Sequence, residues 1–379
     1  MNGTVRAIPS VEIIVSASSE RENPVTIGDG VKFAIVGAGN IGALHALAIQ
    51  QIPSARLYAV CDADKARARN LAEEFGARWT TDLEELVSQP DIEVVNVCTP
   101  SGLHMDIAIA AAEAGKHVMV EKPIEITLSR ADRIIEAARK HRVTLGVFFP
   151  SRFTEGVRVA QEAIKAGRLG RLVLCDAYVK WYRTQEYYDR GGWRGTWALD
   201  GGGALMNQAI HTIDLLQWLG GPIENVCAHT RTLAHRMETE DTAVAIITYR
   251  SGALGVIQAT TSAWPGQPSR LEISGDRGTV VLEEGIITRW KLADARPGEE
   301  EAMLNLERST GSGASDPVGI SHDKHQKQIE EFITAVREHR PPLVDGGEGR
   351  KAVEIIHAIY RAAETGRVVS LPLAIEDSL

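Results

Sequence analysis

The stretch from Lys32 to Gly42, KFAIVGAGNIG, constrains this chain more than any other. An apolar run flows into G-x-G-x-x-G, and helix-forming Ala43-Leu44-His45-Ala46-Leu47 follows, so the segment reads as strand, tight turn and helix. Gly37 permits the turn, Gly39 lets a pyrophosphate approach the backbone, and Gly42 lets helix pack on strand, with Asn40 and Ile41 completing the loop. With 35 glycines among 379 residues the motif alone would be weak. Its context strengthens it: a second apolar run, Leu57 to Cys61, ends about twenty residues on at Asp62, where a carboxylate would take ribose hydroxyls. The loop therefore points to a bound dinucleotide.

From 31 to 150 short apolar runs alternate with amphipathic segments. Phe33 to Val36, Leu57 to Cys61, Val94 to Cys98, Val118 to Val120 and Thr144 to Phe148 are the expected strands, and the alternation predicts βαβ units in a doubly wound parallel sheet. Between them Lys65 to Phe75 reads as a helix closed by Gly76, and Met105 to Ala114 as one closed by Gly115. Ser129 with Asp132 resembles a capping box opening Arg130 to His141.

After Pro150 the strands lengthen and glycine turns join them, as in Thr242 to Tyr249, Ser251-Gly252, then Ala253 to Ala259. With Leu172 to Val179, Arg270 to Ser274, Thr279 to Leu282 and Ile286 to Trp290 they predict an α+β domain over 151–379 with a large, mostly antiparallel open sheet. Residues 309–315 read as a linker, and His325 to His339 and Gly349 to Thr365 as helices packing near the domain boundary. Residues 1–30 form an N-terminal arm, read as a loosely ordered extension.

A formal net charge of -9 disfavours nucleic acid and anionic membrane as partners, and no apolar run approaches a membrane span. Cys61, Cys98, Cys175 and Cys227 are widely spaced and suit a reduced, cytoplasmic protein. His322-x-x-His325 beside Asp323 lacks a supporting ligand cluster and reads as a solvated helix start, so no metal is expected.

Chemistry gathers at strand ends. Thr99-Pro100-Ser101 and His104 follow the third apolar run, and Glu121-Lys122-Pro123 follows the fourth, which puts a lysine amine beside the expected nicotinamide. In the second domain Gly201-Gly202-Gly203 leads into a helix on which Asn207, His211 and Asp214 share a polar stripe. Its three glycines permit close ligand approach. Arg152, after the fifth strand, and Trp193 and Arg194, in a later run rich in aromatic and basic residues, suit a polyhydroxylated or carboxylated ring.

The ordered set Gly37-x-Gly39-x-x-Gly42, Asp62, Thr99-Pro100, Glu121-Lys122-Pro123 and Gly202-Gly203 through Asn207, His211 and Asp214 closely resembles the glucose-fructose oxidoreductase, inositol dehydrogenase and MocA family. The resemblance implies hydride transfer between NAD(P) and a hydroxyl or keto carbon of a sugar, sugar acid or cyclitol. It implies coenzyme contacts from Gly37, Gly39, Asn40, Ile41, Gly42, Asp62, Thr99, Pro100, Ser101, His104, Glu121 and Lys122. Lys122 and His211 would flank the reacting hydroxyl, and Arg152, Trp193, Arg194, Asn207 and His211 would meet substrate. An alcohol gives up hydride only as its proton leaves, so a base must reach its oxygen, and both Lys122 and His211 are candidates for that role. Many relatives carry aspartate where this chain has Asn207, and an amide can orient but carries no charged proton. Asp62 favours NAD over NADP, with Lys65 and Arg67 close enough to temper that preference. A homodimer or homotetramer through the open sheet is also implied. Two other classes stand beside the dehydrogenase: an NAD-dependent glycosidase that oxidises its sugar transiently, and a sensor that binds coenzyme or sugar without catalysis.

Overall fold

The computed structural model describes residues 30–306 and 322–373, so the expected arm before Gly30 and the linker at 309–315 lie outside the described residues. In the first half β1 (Val31–Val36), β2 (Ala55–Cys61), β3 (Arg78–Thr80), β4 (Val94–Val97), β5 (His117–Val120) and β6 (Leu145–Val147) pair in parallel in the order β3-β2-β1-β4-β5-β6. The strands are connected through α1 (Asn40–Gln50), α2 (Lys65–Phe75), α3 (Leu83–Val87), α4 (His104–Glu113) and α5 (Leu128–His141). Strand order reverses between β1 and β4, and a crevice opens there at the carboxyl ends of the strands.

Local signals explain most boundaries. Asp64 caps α2 by accepting from the N–H groups of Ala66 and Arg67, and Gly76, at φ +65°, ends it. The start of α5 departs from the expected capping box. Thr127, in extended backbone, accepts from Arg130 N–H at 3.3 Å, while the Asp132 carboxylate is drawn away to Arg350 at 2.5 Å.

The second half contains α6 (Glu155–Lys165), β7 (Leu172–Lys180), α7 (Gln185–Asp189), α8 (Ile210–Gly220), β8 (Ile223–Arg231), β9 (Thr242–Tyr249), β10 (Leu254–Thr260), β11 (Arg270–Gly275), β12 (Gly278–Glu283) and β13 (Ile286–Leu292). α9 (Glu299–Leu304), α10 (Asp323–Arg337), α11 (Gly346–Thr365) and β14 (Val369–Ser370) follow. The sheet runs β13-β12-β11-β7-β10-β9-β8-β14, antiparallel except where β10 lies parallel to β7. α8 and α11 cover one face. The other leaves Leu174, Val244, Ile246 and Leu254 exposed.

α10 does not stay with that sheet. Its Ile329, Phe332 and Ile333 join Phe33, Ile35, Met119 and Phe148 in the core beneath the parallel sheet, and Gly146 leaves room for the Phe332 ring, which would stand 2.8 Å from an added Cβ. The return of α10 carries its first turn to the mouth of the crevice.

Arg152, in the short turn Pro150–Phe153 after β6, ties the halves together. Its guanidinium is fully buried, donates to both Asp214 oxygens at 2.8 and 2.6 Å and to Glu348 at 2.9 Å, and lies 4.9 Å over the Trp218 ring. The expected substrate contact by Arg152 is thus corrected: a cation buried this deeply needs carboxylates, and it has two. The same pairing takes Asp214 out of the polar stripe with Asn207 and His211. Among the described residues no helix is long and apolar enough to cross a membrane.

Replacing Arg152 by Met strands the Asp214 charge and should lower stability by about 3–5 kcal/mol, read from denaturant unfolding. Full stability with a raised KM would instead mean that Arg152 binds substrate.

Candidate active site

The glycine loop is tight below and open above. At Gly37, φ +104°, an added Cβ would stand 2.6 Å from the Cys98 carbonyl oxygen, and at Gly42 it would stand 2.0 Å from the Gly37 oxygen. At Gly39 it would meet nothing within 4 Å. Asn40 is exposed, Ile41 is half-buried, and no side chain caps the start of α1. Unsatisfied N–H groups and the positive end of a helix dipole therefore face open space, as a pyrophosphate requires. Asp62 accepts from Ala38 N–H at 2.7 Å and Asp64 N–H at 2.8 Å, which fixes its carboxylate and leaves lone pairs for ribose hydroxyls. Lys65 lies over Trp79 at 5.6 Å and Arg67 faces Asp64 at 3.6 Å. These residues fit an NAD-type dinucleotide.

The next two strand ends are held from behind. Thr99 and Pro100 are half-buried beside the crevice and Ser101 opens a short turn. His104 is buried with its ring nitrogens 2.9 Å from the carbonyls of Thr99 and Pro123. Burial lowers its pKa, and the two carbonyl acceptors oppose that shift. His104 thus braces two loops, which corrects its expected place against the coenzyme.

Glu121 is corrected in the same way. It is buried, its Oε2 accepts from Lys122 N–H at 3.0 Å, and its Oε1 takes His45 Nε2 at 2.9 Å. His45 Nδ1 in turn faces the Asn96 amide at 3.2 Å and the Cys98 thiol at 3.3 Å, a set that suits a neutral ring donating from Nε2. His325 stands 3.6 Å from the same Oε1 and is buried, so it is no solvated helix start. His45, Glu121 and His325 offer ligand atoms within 4.8 Å of one another, but the His45 contact is a hydrogen bond in both distance and direction. The cluster anchors the peptide that carries Lys122.

Lys122 reaches across the crevice. Its Nζ donates to the Asn207 carbonyl at 2.9 Å. Desolvation pulls its pKa below the usual lysine range, partly offset by Glu121 and Asp200, with Arg194 pulling further down. Asn207 sits in a π-helical turn, Ala204–Ala209, that leads into α8, and its side-chain amide donates to Asp200 Oδ1 at 2.7 Å. His211 is half-buried, with Nδ1 unpartnered and Phe149 edge-on at 5.8 Å. Burial, and then the Lys122 charge, push its pKa down to about 3. His211 is therefore a neutral imidazole across the working range.

The three glycines before this turn serve packing instead of ligand approach. Added Cβ atoms would stand 2.5 Å from Ile126 at Gly201, 2.1 Å from the Tyr360 hydroxyl at Gly202 and 1.8 Å from the Glu240 carbonyl oxygen at Gly203. Glu240, buried and pushed up to about 7 by burial, accepts from the N–H groups of Gly203 and Leu205. Trp193 and Arg194 are half-buried nearby, and the guanidinium stacks between the Tyr187 and Trp193 rings at 4.6 and 4.8 Å.

Comparison with known proteins agrees with this geometry. Residues 31–149 match the oxidoreductase family with an NAD-binding Rossmann fold, and residues 157–281 match the GFO/IDH/MocA C-terminal domain. Myo-inositol 2-dehydrogenase of Thermotoga maritima is 29% identical over 349 residues, covering 90% of this chain and 98% of that protein. The NAD(+) scyllo-inositol 2-dehydrogenase of Bacillus subtilis is 26% identical over 348 residues, covering 90% and 96%. The structure of the WlbA dehydrogenase from Bordetella pertussis, in complex with NADH and UDP-GlcNAcA, is 35% identical with a TM-score of 0.82, covering 91% of this chain and 100% of that one.

Replacing Asp62 by Ala removes the ribose acceptor, and hydrogen bonds to a charged group are worth about 1.5–3 kcal/mol. NADH affinity in a fluorescence titration should fall roughly 10- to 100-fold, and the preference over NADPH should narrow. Unchanged affinity would place the ribose elsewhere.

Proposed function

The chain belongs to the GFO/IDH/MocA family of NAD-dependent oxidoreductases, and from that premise we propose that Lys122 takes the proton of a sugar, sugar acid or cyclitol hydroxyl while His211 holds the same oxygen. The enzyme is an NAD-dependent dehydrogenase acting on CH–OH. Bound NAD supplies the hydride acceptor. The remaining work falls to the chain.

One observation carries the division of roles: Lys122 Nζ, desolvated yet hydrogen-bonded to Asn207, faces an imidazole kept neutral beside it. A lysine with a lowered pKa has a larger share of free amine near neutrality, and that amine accepts the hydroxyl proton. A ring whose pKa lies near 3 is a poor proton acceptor but a good neutral hydrogen-bond partner, so His211 orients the oxygen. Asn207 positions both, through its carbonyl on Lys122 and its place one helical turn before His211.

Among the substrate classes, Arg194 favours the acidic one. Its planar fork is preorganised by two aromatic rings, and among the described residues no carboxylate pairs with it. The Bordetella relative holds an anionic nucleotide sugar, and the Thermotoga relative is named for a neutral cyclitol. A carboxylated or phosphorylated sugar suits Arg194 better. The glycosidase and sensor readings are not favoured, since these relatives are dehydrogenases. The apolar outer face made by Leu174, Val244, Ile246 and Leu254 supports a homodimer or homotetramer through the open sheet, and four free cysteines support a cytoplasmic setting.

A panel of sugars, sugar acids, nucleotide sugars and inositols, followed at the NADH absorbance, tests this reading. Acidic substrates should turn over best, Lys122→Ala should cut kcat by about 10²–10⁴, and Arg194→Leu should raise KM for acidic substrates alone. Undiminished turnover in Lys122→Ala, or tight coenzyme binding with no substrate oxidised, contradicts it.

A further inference from the structure

Position 207 presents an amide to the site, and a carboxylate stands one contact away from it. Asp200 is 2% exposed, accepts from Gly195 N–H at 2.8 Å through Oδ2 and from the Asn207 side-chain amide at 2.7 Å through Oδ1. The same Asn207 accepts the Lys122 ammonium on its backbone carbonyl at 2.9 Å. Lysine, asparagine and aspartate thus form one chain of contacts across the crevice. We infer that Asp200 is the carboxylate that serves Lys122, supplying through Asn207 the negative charge that stabilises the ammonium formed when the lysine takes the hydroxyl proton.

The step balances without a change of bonding at Asp200. The substrate O–H proton passes to Lys122 Nζ, the C–H hydrogen leaves with its electron pair to the nicotinamide, and the C–O bond becomes a carbonyl. A cation appears where a neutral amine stood, in a desolvated crevice, and an anion near it lowers the cost of that charge. The groups facing Lys122 are Glu121 and Asp200, which favour its ammonium, and Arg194 and His211 beside it. Those facing Asp200 are Lys122 and Arg194, with Tyr188 of α7 and Tyr360 of α11 close enough to feel its charge. Glu121 is already held by His45 and His325, whereas Asp200 is held by a single backbone N–H and by Asn207. Burial pushes the Asp200 pKa up to about 6, which leaves it ionised at pH 7 and above.

Asp200 acts through another residue, so it is a positioning residue, and the inference rests on Lys122 being the proton acceptor. The test is the pH profile of kcat/KM for wild type, Asp200→Asn, Asp200→Glu and Asn207→Ala, with circular dichroism as a check on folding. Removing the charge lowers the Lys122 pKa, so the acidic limb in Asp200→Asn should move to lower pH while the plateau kcat falls, and Asp200→Glu should restore part of both. Asn207→Ala, which takes a donor from the Asp200 anion, should move the limb the same way if Asp200→Asn does not fold. A limb that stays in place while kcat falls gives Asp200 a structural role only and overturns the inference. Full activity in Lys122→Ala would overturn the underlying reading instead, so the two failures are distinguishable.

Discussion

The 2.9 Å hydrogen bond from Lys122 Nζ to the Asn207 carbonyl crosses from the end of a parallel strand to the foot of a helix on the second sheet, and it sets the terms for everything around it. An amine placed there is taken out of water, and desolvation makes its charge expensive. The neighbourhood answers with fixed partners: Glu121 and Asp200, each held by other groups, and a histidine that burial first, and the lysine second, keeps neutral. The arrangement is useful for removing a proton because the lysine is neither a free surface ammonium nor a wholly uncompensated buried one.

Holding that bond requires long-range scaffolding. The peptide before Lys122 is fixed by the Glu121 carboxylate, which reaches His45 on the first helix and His325 on α10 near the end of the chain. The helix carrying His211 is fixed by Arg152 on Asp214 and Glu348, and the turn carrying Asn207 by Glu240 under Gly203 and Leu205. The first half contributes the loop for the dinucleotide and the lysine; the second contributes the partner atoms that give the lysine its character.

The coenzyme half was legible in the sequence because each of its requirements leaves a local mark. Gly37 and Gly42 stand where any side chain would strike backbone, and Asp62 ends an apolar strand at the expected distance from them. The second half was legible as strands and hairpins and, in Asn207 and His211, as one polar stripe of the site, but not in the carboxylate that supports it. Asp200 belongs to no motif, and its contact with Asn207 emerges only once the π-helical turn is formed. Arg152, His104 and Glu121 were placed in the right neighbourhood and given the wrong direction, since a motif states that a polar group stands at a strand end and not whether it faces ligand or core. His325 was misread for a related reason: a histidine at an exposed-looking helix start is buried here by a helix returning from nearly two hundred residues away in sequence to pack on the other domain's sheet.

Proton transfer to Lys122 requires a neutral His211 beside it, and the charge state of that ring can be observed directly. A pH titration of the His211 imidazole by 15N NMR in histidine-labelled protein, assigned by the signal lost in His211→Gln, reads it without reference to any substrate. The ring should remain neutral from pH 9 down to pH 5, in keeping with a pKa near 3. An imidazole that gains its proton near the ordinary histidine value of about 6.5 would contradict the assignment and return the base to His211.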